Sequence, residues 1–192
     1  MKHQPNTGTP TNDIVYTPPS LAGAIVRHFH PTGKCLDPAC GDGAFLQFLP
    51  EGSDWCEIEK GRDFFAYKQK VDWIVTNPPW SKMRDFLLHS YEIADDIVYF
   101  VTANHLFTKR RLSDMEAAGF GMKEILCCDT PANFPTSGFQ CAAMHIRRGW
   151  DMGRDGIRMT RLRADGKGGF FSVPFGASFS IQMDLFSEGY SL

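Results

Sequence analysis

Long hydrophobic runs and a signal-peptide core are both missing from this chain of 192 residues. No apolar stretch approaches the roughly 20 residues that a membrane-spanning helix needs. The first twelve residues are rich in Thr, Pro and Asn and contain no apolar core of the kind that directs secretion. We therefore expect a protein that acts in the cytoplasm and has no membrane partner.

An excess of charge and a low-complexity composition are missing as well. The chain has 20 Lys and Arg against 22 Asp and Glu, and its 18 glycines and 12 prolines are too few for a collagen-like or low-complexity protein. With 43% hydrophobic residues, the chain can bury one core. These proportions exclude fibrous and wholly disordered classes and favour one globular domain with tails.

Cysteines at metal-binding spacing are also absent. None of the six forms a C-x2-C pair or stands near a histidine at zinc-finger spacing. Several lie in apolar, strand-like runs, where a thiol behaves as a small hydrophobic group. We therefore predict reduced, structural thiols and no metal. The six are Cys35, Cys40, Cys56, Cys127, Cys128 and Cys141.

Short apolar runs alternate with helical patterns between residues 13 and 150. The strand-like runs are 34–36, 55–58, 71–75, 97–102, 123–128 and 140–146, and the helix-like ones are 16–28, 44–49, 83–93 and 109–118. Such alternation predicts an α/β fold with a mostly parallel sheet. The loop at 130–138 is too short for a crossover helix, so the last two strands should form an antiparallel hairpin.

Three further segments flank this domain at 13–150. Residues 1–12 have nothing to bury and are predicted to form a flexible arm. Residues 151–178 are predicted to be a basic, Gly-rich extension, because residues 147–167 contain seven Arg or Lys against three Asp. Residues 179–192 form a tail.

A glycine-rich turn follows the first predicted strand, with the sequence DPACGDG from Asp37 to Gly43. Glycines at a strand-to-helix turn let the backbone approach a ligand closely, and the N-terminus of the next helix presents unpaired N–H groups. A plain tight turn remains the alternative interpretation, since glycine ends many α/β connections.

A second motif, with the sequence NPPW, ends the strand predicted at 71–75. Open α/β sheets bind their ligands at the carboxyl ends of strands. The side-chain oxygen of Asn77 and the carbonyl of Pro78 can accept both hydrogens of an exocyclic amino group, while Pro79 stiffens the turn and Trp80 offers a stacking face. The alternative is a proline-stiffened turn with a buried tryptophan.

The two motifs together resemble those of the amino-group DNA methyltransferases that use S-adenosylmethionine, in their gamma order. The resemblance covers residues 13–148 and implies a Rossmann-like class I methyltransferase sheet, with 13–150 as the catalytic domain. It also implies S-adenosylmethionine as cofactor, DNA as partner and transfer to the N6 amino group of adenine in a bacterium or phage. Asn rather than Ser at the first NPPW position resembles adenine enzymes more than cytosine enzymes.

The resemblance further implies a set of cofactor-binding residues. A YTP segment would cover the methionine end, an acidic residue after the second strand would hold the ribose, and an Asp-Phe pair would bind the adenine ring. A solvated loop carboxylate is the alternative for each acidic residue, and Glu59 is a less suitable substitute for Glu57. The implied residues are Tyr16, Thr17, Pro18, Asp37, Ala39, Gly41, Gly43, Glu57, Ile58, Asp63, Phe64 and Asn77.

By the same resemblance, Trp80 and Phe134 would stack on a base flipped out of the duplex. Phe139 is the alternative second ring, and plain packing is the alternative role for Phe134. Two features depart from the family. Glu57 and Asp63 are too close for the helix and strand that usually separate them, so we expect that unit to be shortened or missing. A large target-recognition domain is also missing.

Basic residues near the motifs could hold phosphates, which dominate non-specific affinity for nucleic acids. A solvated charged face is the alternative interpretation. The candidates are Lys109, Arg110, Arg111, Arg147, Arg148, Arg158, Arg161 and Arg163.

The tail contains QMDLF, which resembles the pentapeptide that binds bacterial sliding clamps. In this interpretation Leu185 and Phe186 enter an apolar pocket, Gln182 binds at its rim, and Met183 and Asp184 lie between them. Clamp tethering would raise the local DNA concentration and place the enzyme at the nucleoid. The alternative is a tail that packs on its own domain.

Three rival functions remain open at this stage. Enzymes with NPPW-like motifs also methylate adenine in ribosomal or transfer RNA, or a glutamine amide in proteins. From another class, the chain could be a non-catalytic adaptor that occupies the clamp. The clamp-like tail favours DNA.

Overall fold

The computed structural model describes residues 15–131, 140–165 and 169–174, and within them eight strands form one sheet in the order β2-β1-β3-β4-β6-β5-β7-β8. The strands are β1 (Cys35–Asp37), β2 (Asp54–Trp55), β3 (Trp73–Thr76), β4 (Asp96–Thr102), β5 (Phe120–Cys128), β6 (Cys141–Arg148), β7 (Arg158–Ala164) and β8 (Phe170–Pro174). The helices are α1 (Pro19–Phe29), α2 (Met83–Ile93), α3 (Lys109–Ala117) and α4 (Met152–Asp155).

Strand directions give the sheet two distinct edges. β1 pairs parallel with β2 and β3, and β3 pairs parallel with β4. β6 runs antiparallel between β4 and β5, and β7 runs parallel to β5 and antiparallel to β8. The carboxyl ends of β1 to β5 and of β7 therefore lie at one edge, here called the carboxyl edge, and the opposite one is the amino edge. The predicted α/β fold and its antiparallel hairpin are confirmed.

Helices cover both faces of the sheet. α1 packs on one face through apolar residues such as Leu21 and Ile25, and α2 and α3 pack on the other through residues such as Met83 and Met115. All seven residues of β4 are buried, which agrees with its apolar run at 97–101, because a strand covered on both faces does not alternate.

The helix predicted at 44–49 is wrong. The structure has a 3-10 turn there, Leu46–Phe48. The segment between Gly43, which has a positive φ of 85°, and Pro50 allows little more than one helical turn. So short a segment gains too few hydrogen bonds to offset the cost of nucleating an α-helix.

The connection after β2 is shortened, as the sequence predicts. β2 is the edge strand, and it is followed by two 3-10 turns, Ile58–Lys60 and Phe64–Ala66. The N–H of Glu57 donates to the carbonyl of Arg62 at 2.9 Å, and the N–H of Arg62 donates back to the carbonyl of Glu57 at 3.0 Å. A tight loop thus replaces a helix and a strand.

Residues beyond 150 continue the same sheet. β7 pairs with β5 over 158–161, and β8 closes a hairpin on β7. None of the helices in the described ranges is long and apolar enough to cross a bilayer. The six cysteines are free, and the described residues contain no group of three His, Cys, Asp or Glu placed to hold a metal.

Candidate active site

A cleft of about 410 Å³ opens at the carboxyl edge, beside the ends of β1 and β3. A smaller cleft of about 160 Å³ adjoins it on the side of α1. The two share the lining residues Val15, Tyr16, Ala39, Gly41 and Asn77. They lie at the position where open α/β sheets bind ligands.

Most of the cofactor-binding residues implied by the resemblance meet in these clefts. The larger cleft is lined by Tyr16, Ala39, Gly41, Glu57, Ile58, Asp63, Phe64, Asn77 and Pro79. Thr17 lines the smaller one. Pro18, Asp37, Gly43, Pro78 and Trp80 line neither of these two clefts, and Phe134 and Phe139 lie outside the described residues.

Gly41 lets the N-terminal segment lie on the glycine-rich turn. Its φ is +49°, and a Cβ at this position would lie 2.9 Å from Cε1 of Tyr16. A side chain here would therefore displace the Tyr16 ring, which is 45% exposed and forms part of the cleft wall. Gly41 is required both for its backbone conformation and for this close approach.

Glu57 joins the short loop after β2 to the glycine-rich turn. Its Oε2 accepts a hydrogen bond from the N–H of Gly41 at 2.8 Å, and its Oε1 accepts one from the N–H of Glu59 at 3.3 Å. Nζ of Lys60 donates to the carbonyl of Gly41 at 2.6 Å. The carboxylate of Glu57 is thus held at the cleft wall.

An apolar wall closes the end of the cleft near β2. Ile58 is 68% exposed, although it is apolar, and it lines the cleft together with Phe65. Phe64 is buried against Phe86, with ring centroids 4.9 Å apart. The carboxylate of Asp63 accepts a hydrogen bond from the N–H of Phe65 at 3.0 Å.

Phe65 is a cleft residue that the sequence analysis missed. A 3-10 turn sets which of the two adjacent rings faces the core, and it directs Phe64 inward. Other missed lining residues are Val15, Lys82 and Phe86. The apolar spacing of α2 predicts that Phe86 lies on a buried face. Whether its ring contacts the cleft depends on the conformation of the turn before the helix, which the spacing does not give.

Asn77 has a fixed side-chain orientation. Its Nδ2 donates to the carbonyl of Val15 at 2.8 Å, which identifies the other side-chain atom as the oxygen. That oxygen, Oδ1, is buried and has no hydrogen-bond partner among the described residues. Since Asn77 lines both clefts, an acceptor without a donor is present at their junction.

Further buried oxygens lie near this junction: Oγ1 of Thr17 has no partner in the described part of the chain, and Oδ2 of Asp37 and Oγ1 of Thr76 have none there besides each other. An unsatisfied buried polar group costs about 1 to 3 kcal/mol, so such a concentration indicates a ligand site. Burial raises the pKa of Asp37 to about 7, even though the Thr76 hydroxyl and the Ala39 N–H act in the opposite direction.

The negative charge of the site is concentrated on one side. Asp42 raises the pKa of the Tyr16 hydroxyl, and burial, Glu59 and Glu57 add to this effect. Lys82 also lines the cleft and adds a positive charge to it.

Trp80 begins the 3-10 turn Trp80–Lys82, which leads into α2. Its ring lies against the ring of His105, with centroids 5.2 Å apart, and it is partly buried between the two halves of the core. His105 belongs to the turn that follows β4, so the NPPW motif contacts the next strand along the carboxyl edge.

The structure divides the predicted basic residues between the two edges of the sheet. Lys109 and Arg110 are exposed at the start of α3, after the carboxyl end of β4, and Arg111 donates to the carbonyl of His105 at 2.5 Å. Arg161 and Arg163 line a polar cavity of about 540 Å³ at the carboxyl ends of β5 and β7. These five lie on the same edge as the clefts.

Arg147 and Arg148 lie at the amino edge, because β6 runs antiparallel to β4. Arg147 is in register with Asp96, the first residue of β4. Nε of Arg148 donates to Oδ1 of Asp95 at 2.7 Å. Arg158 lies 3.5 Å from Oε2 of Glu124. The clamp-like residues 182–186 are outside the described ranges.

Comparison with known proteins identifies the fold. No protein-family model and no curated protein matches the chain. Among solved structures, a protein from Pyrococcus horikoshii assigned as an RNA methyltransferase is similar with 17% identity and a TM-score of 0.51, over 68% of this chain and 82% of its own.

Two modification subunits of type I restriction enzymes are also similar. The one assigned in Vibrio vulnificus has 16% identity and a TM-score of 0.56, over 80% of this chain and 48% of its own. The EcoKI M protein has 13% identity and a TM-score of 0.54, over 79% of this chain and 49% of its own. The chain thus spans about half the length of these subunits. It has the Rossmann-like fold of class I methyltransferases.

Proposed function

We propose that this protein transfers a methyl group from S-adenosylmethionine to the N6 amino group of adenine in DNA. The observation that carries the proposal is the side-chain oxygen of Asn77, which is buried at the cleft junction and receives no donor from the described residues. The class I methyltransferase fold and the similarity to type I modification subunits support it.

The residues of the clefts fit this cofactor. The orphaned hydroxyl oxygen of Thr17, which lines the smaller cleft, would receive a hydrogen bond from the amino group at the methionine end. The carboxylate of Glu57 would accept the ribose hydroxyls with its remaining lone pairs, and the exposed Ile58 and Phe65 would give an adenine ring an apolar surface. The cofactor itself supplies an electrophilic methyl group on a sulfonium.

Asn77 and Pro78 would activate the target nitrogen. The lone pair of an adenine amino group is delocalised into the ring, so the nitrogen is a poor nucleophile. If Oδ1 of Asn77 and the carbonyl of Pro78 each accept one N–H, the nitrogen gains sp³ character and its lone pair is directed at the methyl group. The N–C bond would form as the S–C bond breaks, S-adenosylhomocysteine would leave, and the methylated nitrogen would then lose one proton to water. Because Val15 holds the Asn77 amide in one orientation, this acceptor is preorganised.

Adenine in RNA is the second candidate substrate. The similar protein from Pyrococcus horikoshii is assigned as an RNA methyltransferase, and the same pair of acceptors would fit either nucleic acid. The clamp-like sequence at 182–186 favours DNA, and the proposal includes tethering through Leu185 and Phe186. A non-catalytic adaptor would have no use for a preorganised Asn77.

The first experiment measures transfer of labelled methyl from S-adenosylmethionine. The substrates are bacterial DNA, duplex and single-stranded, and total RNA, and the proteins are wild type, Asn77→Ala and the control Asn104→Ala, at an exposed asparagine after β4. We expect label on DNA adenine that only Asn77→Ala abolishes. Label on RNA alone would overturn the DNA assignment, and absence of label with intact cofactor binding would favour the adaptor.

Tethering is tested separately on the full chain. We expect wild type to bind purified bacterial sliding clamp and Leu185→Ala plus Phe186→Ala to lose this binding. Ser187→Ala plus Tyr190→Ala, in the same tail, is the matched control. Equal binding by both double variants would refute clamp recognition and leave the methyl-transfer proposal intact.

A further inference from the structure

The β7–β8 hairpin has one face without a helix on it among the described residues. Leu162 packs into the core with α1, and Oγ of Ser172 lies 2.7 Å from Nδ1 of His28 at the end of α1. Side chains alternate along a strand, so Arg161, Arg163 and Phe171 project to the opposite face. That is the face that α2 and α3 cover farther along the sheet.

This second face carries both cationic and exposed apolar side chains, beside the buried Val173. Arg163 and Phe171 stand directly opposite each other in the antiparallel pair β7–β8, and Phe171 is 38% exposed. Met159, two residues before the exposed Arg161, is 44% exposed. We call Met159, Arg161, Arg163 and Phe171 the hairpin platform.

Arg163 has an unsatisfied donor. Its Nε is buried and has no hydrogen-bond acceptor among the described residues. Arg161 and Arg163 both line the polar cavity at the ends of β5 and β7, where Asp129 is the acidic residue. A buried guanidinium N–H without an acceptor in the described part of the chain matches an anionic oxygen that can approach through this cavity, and phosphate is one of the two anions whose geometry suits arginine.

The hairpin platform combines two arginines with two exposed apolar side chains, whereas a simple anion site would have only the cations and an apolar interface only the apolar groups. Guanidinium groups next to an exposed phenyl ring on an open sheet are the combination that binds a nucleic-acid strand, since arginine holds phosphates while the ring stacks on bases. The position agrees, because the platform and the clefts share the carboxyl edge, and the acidic cleft residues Glu57, Glu59 and Asp63 lie beyond β2 at the other end of the sheet.

We infer that the hairpin platform holds the nucleic-acid strand that flanks the target base. This inference rests on the proposed function and adds the path of the substrate. β3, which Asn77 follows directly, and β7 are separated by β4, β6 and β5, hence by four strand spacings. At about 4.8 Å each, the separation is about 19 Å, or about five to six steps of 3.4 Å along one strand.

The test is fluorescence anisotropy with single-stranded and duplex DNA and with RNA of the same sequence, titrated at several salt concentrations. We compare wild type, Arg161→Ala plus Arg163→Ala, and Phe171→Ala. The matched control is Arg27→Ala plus Arg154→Ala, which removes two exposed arginines elsewhere. Thermal unfolding and cofactor binding verify the fold of each variant. If the double variant does not fold, the single variant Arg161→Gln replaces it in the comparison.

We expect the two kinds of variant to differ in salt dependence. Losing both arginines should reduce affinity at least tenfold and lower the slope of log affinity against log salt by about 1.4 for single strands, at about 0.7 per phosphate contact. Phe171→Ala should reduce affinity by about 5- to 100-fold without changing the slope, because stacking releases no counterions. The control should match wild type.

Shortening the substrate locates the contact. A substrate with two nucleotides on either side of the target adenine should bind wild type and the arginine double variant with equal affinity. A substrate with eight nucleotides on either side should bind wild type more tightly than the double variant. Equal affinity and slope for both double variants on long substrates would overturn the platform. If wild type transfers no methyl but still binds through these residues, the proposed function fails and the platform remains.

Discussion

Nδ2 of Asn77 donates to the carbonyl oxygen of Val15 at 2.8 Å, so the end of β3 is tied to the segment that precedes α1. This bond orients the only other polar atom of the side chain toward a place where the described residues offer it no donor. The N-terminal segment therefore sets the direction of an acceptor that belongs to a strand 62 residues later in the chain.

Asn77→Asp tests this orientation with a side chain of the same size. The new carboxylate would face the Val15 carbonyl, so two acceptors would oppose each other in a buried place. We expect at least a 100-fold loss of methyl transfer, as for other preorganised groups, and a loss of about 1 to 3 kcal/mol in the free energy of unfolding. Urea unfolding and labelled transfer measure both, and Asn104→Asp should change neither.

Thr17→Val should have opposite effects on stability and on binding. The hydroxyl is buried without a partner in the described residues, so its replacement by a methyl group should raise the unfolding midpoint by about 2 to 4 °C. The affinity for S-adenosylmethionine should fall about tenfold or more, because a charge-assisted hydrogen bond is lost. Calorimetry and thermal unfolding measure these effects. If Thr17→Val lost stability and kept its affinity for S-adenosylmethionine, the proposed role of Thr17 would be contradicted. Thr32→Val, at an exposed position, is the control.

Asp37 should make stability depend on pH near neutrality. Burial raises its pKa to about 7 in the folded protein, above its ordinary value of 3.8. The folded state therefore binds the proton more tightly than the unfolded chain, and stability should fall as the pH rises toward 7 and level off above it. Asp37→Asn lacks this proton, so its midpoint should exceed that of wild type by several degrees at pH 8 and little at pH 5.

Thermal unfolding between pH 5 and pH 8.5 decides the matter. The exposed Asp42→Asn is the control and should follow wild type across the range. Parallel curves for Asp37→Asn and wild type would show that Asp37 does not titrate in this interval.

Glu124 connects α1 to the hairpin platform's strands. Its Oε1 lies 2.7 Å from Nε2 of His28 and accepts from Oγ1 of Thr160 at 2.8 Å. Burial raises the pKa of Glu124, but the bonds from His28 and Thr160 outweigh it and hold the pKa below its usual 4.5. The ionised group thus stabilises the fold above that pH and loses this effect as the pH falls through the lowered value.

Glu124→Ala should therefore cost about 3 kcal/mol in urea unfolding at pH 7, because it removes the shared acceptor of the His28 ring and the buried Thr160 hydroxyl. The difference from wild type should shrink as the pH falls below 4.5 and through the lowered pKa. Glu116→Ala, at an exposed position of α3, should be neutral at both pH values. A cost that is independent of pH would assign the effect to lost packing instead of charge.

The long elements could be predicted from the sequence because local pattern and burial agree in them. The helix predicted at 83–93 coincides with Met83–Ile93, and the strand predicted at 97–102 lies within Asp96–Thr102. At 44–49 the apolar residues suit a helix, but the segment is too short to propagate one. Tertiary contacts and the neighbouring glycine and proline decide its conformation.

The meeting of the two motifs could also be predicted, since both follow parallel strands and such strands end at the same edge. The carbonyl that orients Asn77 could not, because it belongs to an irregular segment whose position depends on packing. The location of Arg147 and Arg148 could have been predicted from the hairpin, because a strand that runs backwards ends at the amino edge. The exposure of Phe65 instead of Phe64 could not be predicted, because it depends on the conformation of the 3-10 turn Phe64–Ala66.

The position of β2 at the end of the sheet has a consequence for self-association. An unpaired strand edge normally invites a strand from another molecule. β2 has only two residues, and the guanidinium of Arg62 lies 4.2 Å from the Trp55 ring centroid, with Nζ of Lys60 at 5.7 Å. The strand therefore offers a second chain few backbone groups to pair with. The two cations beside it also disfavour the approach of another strand.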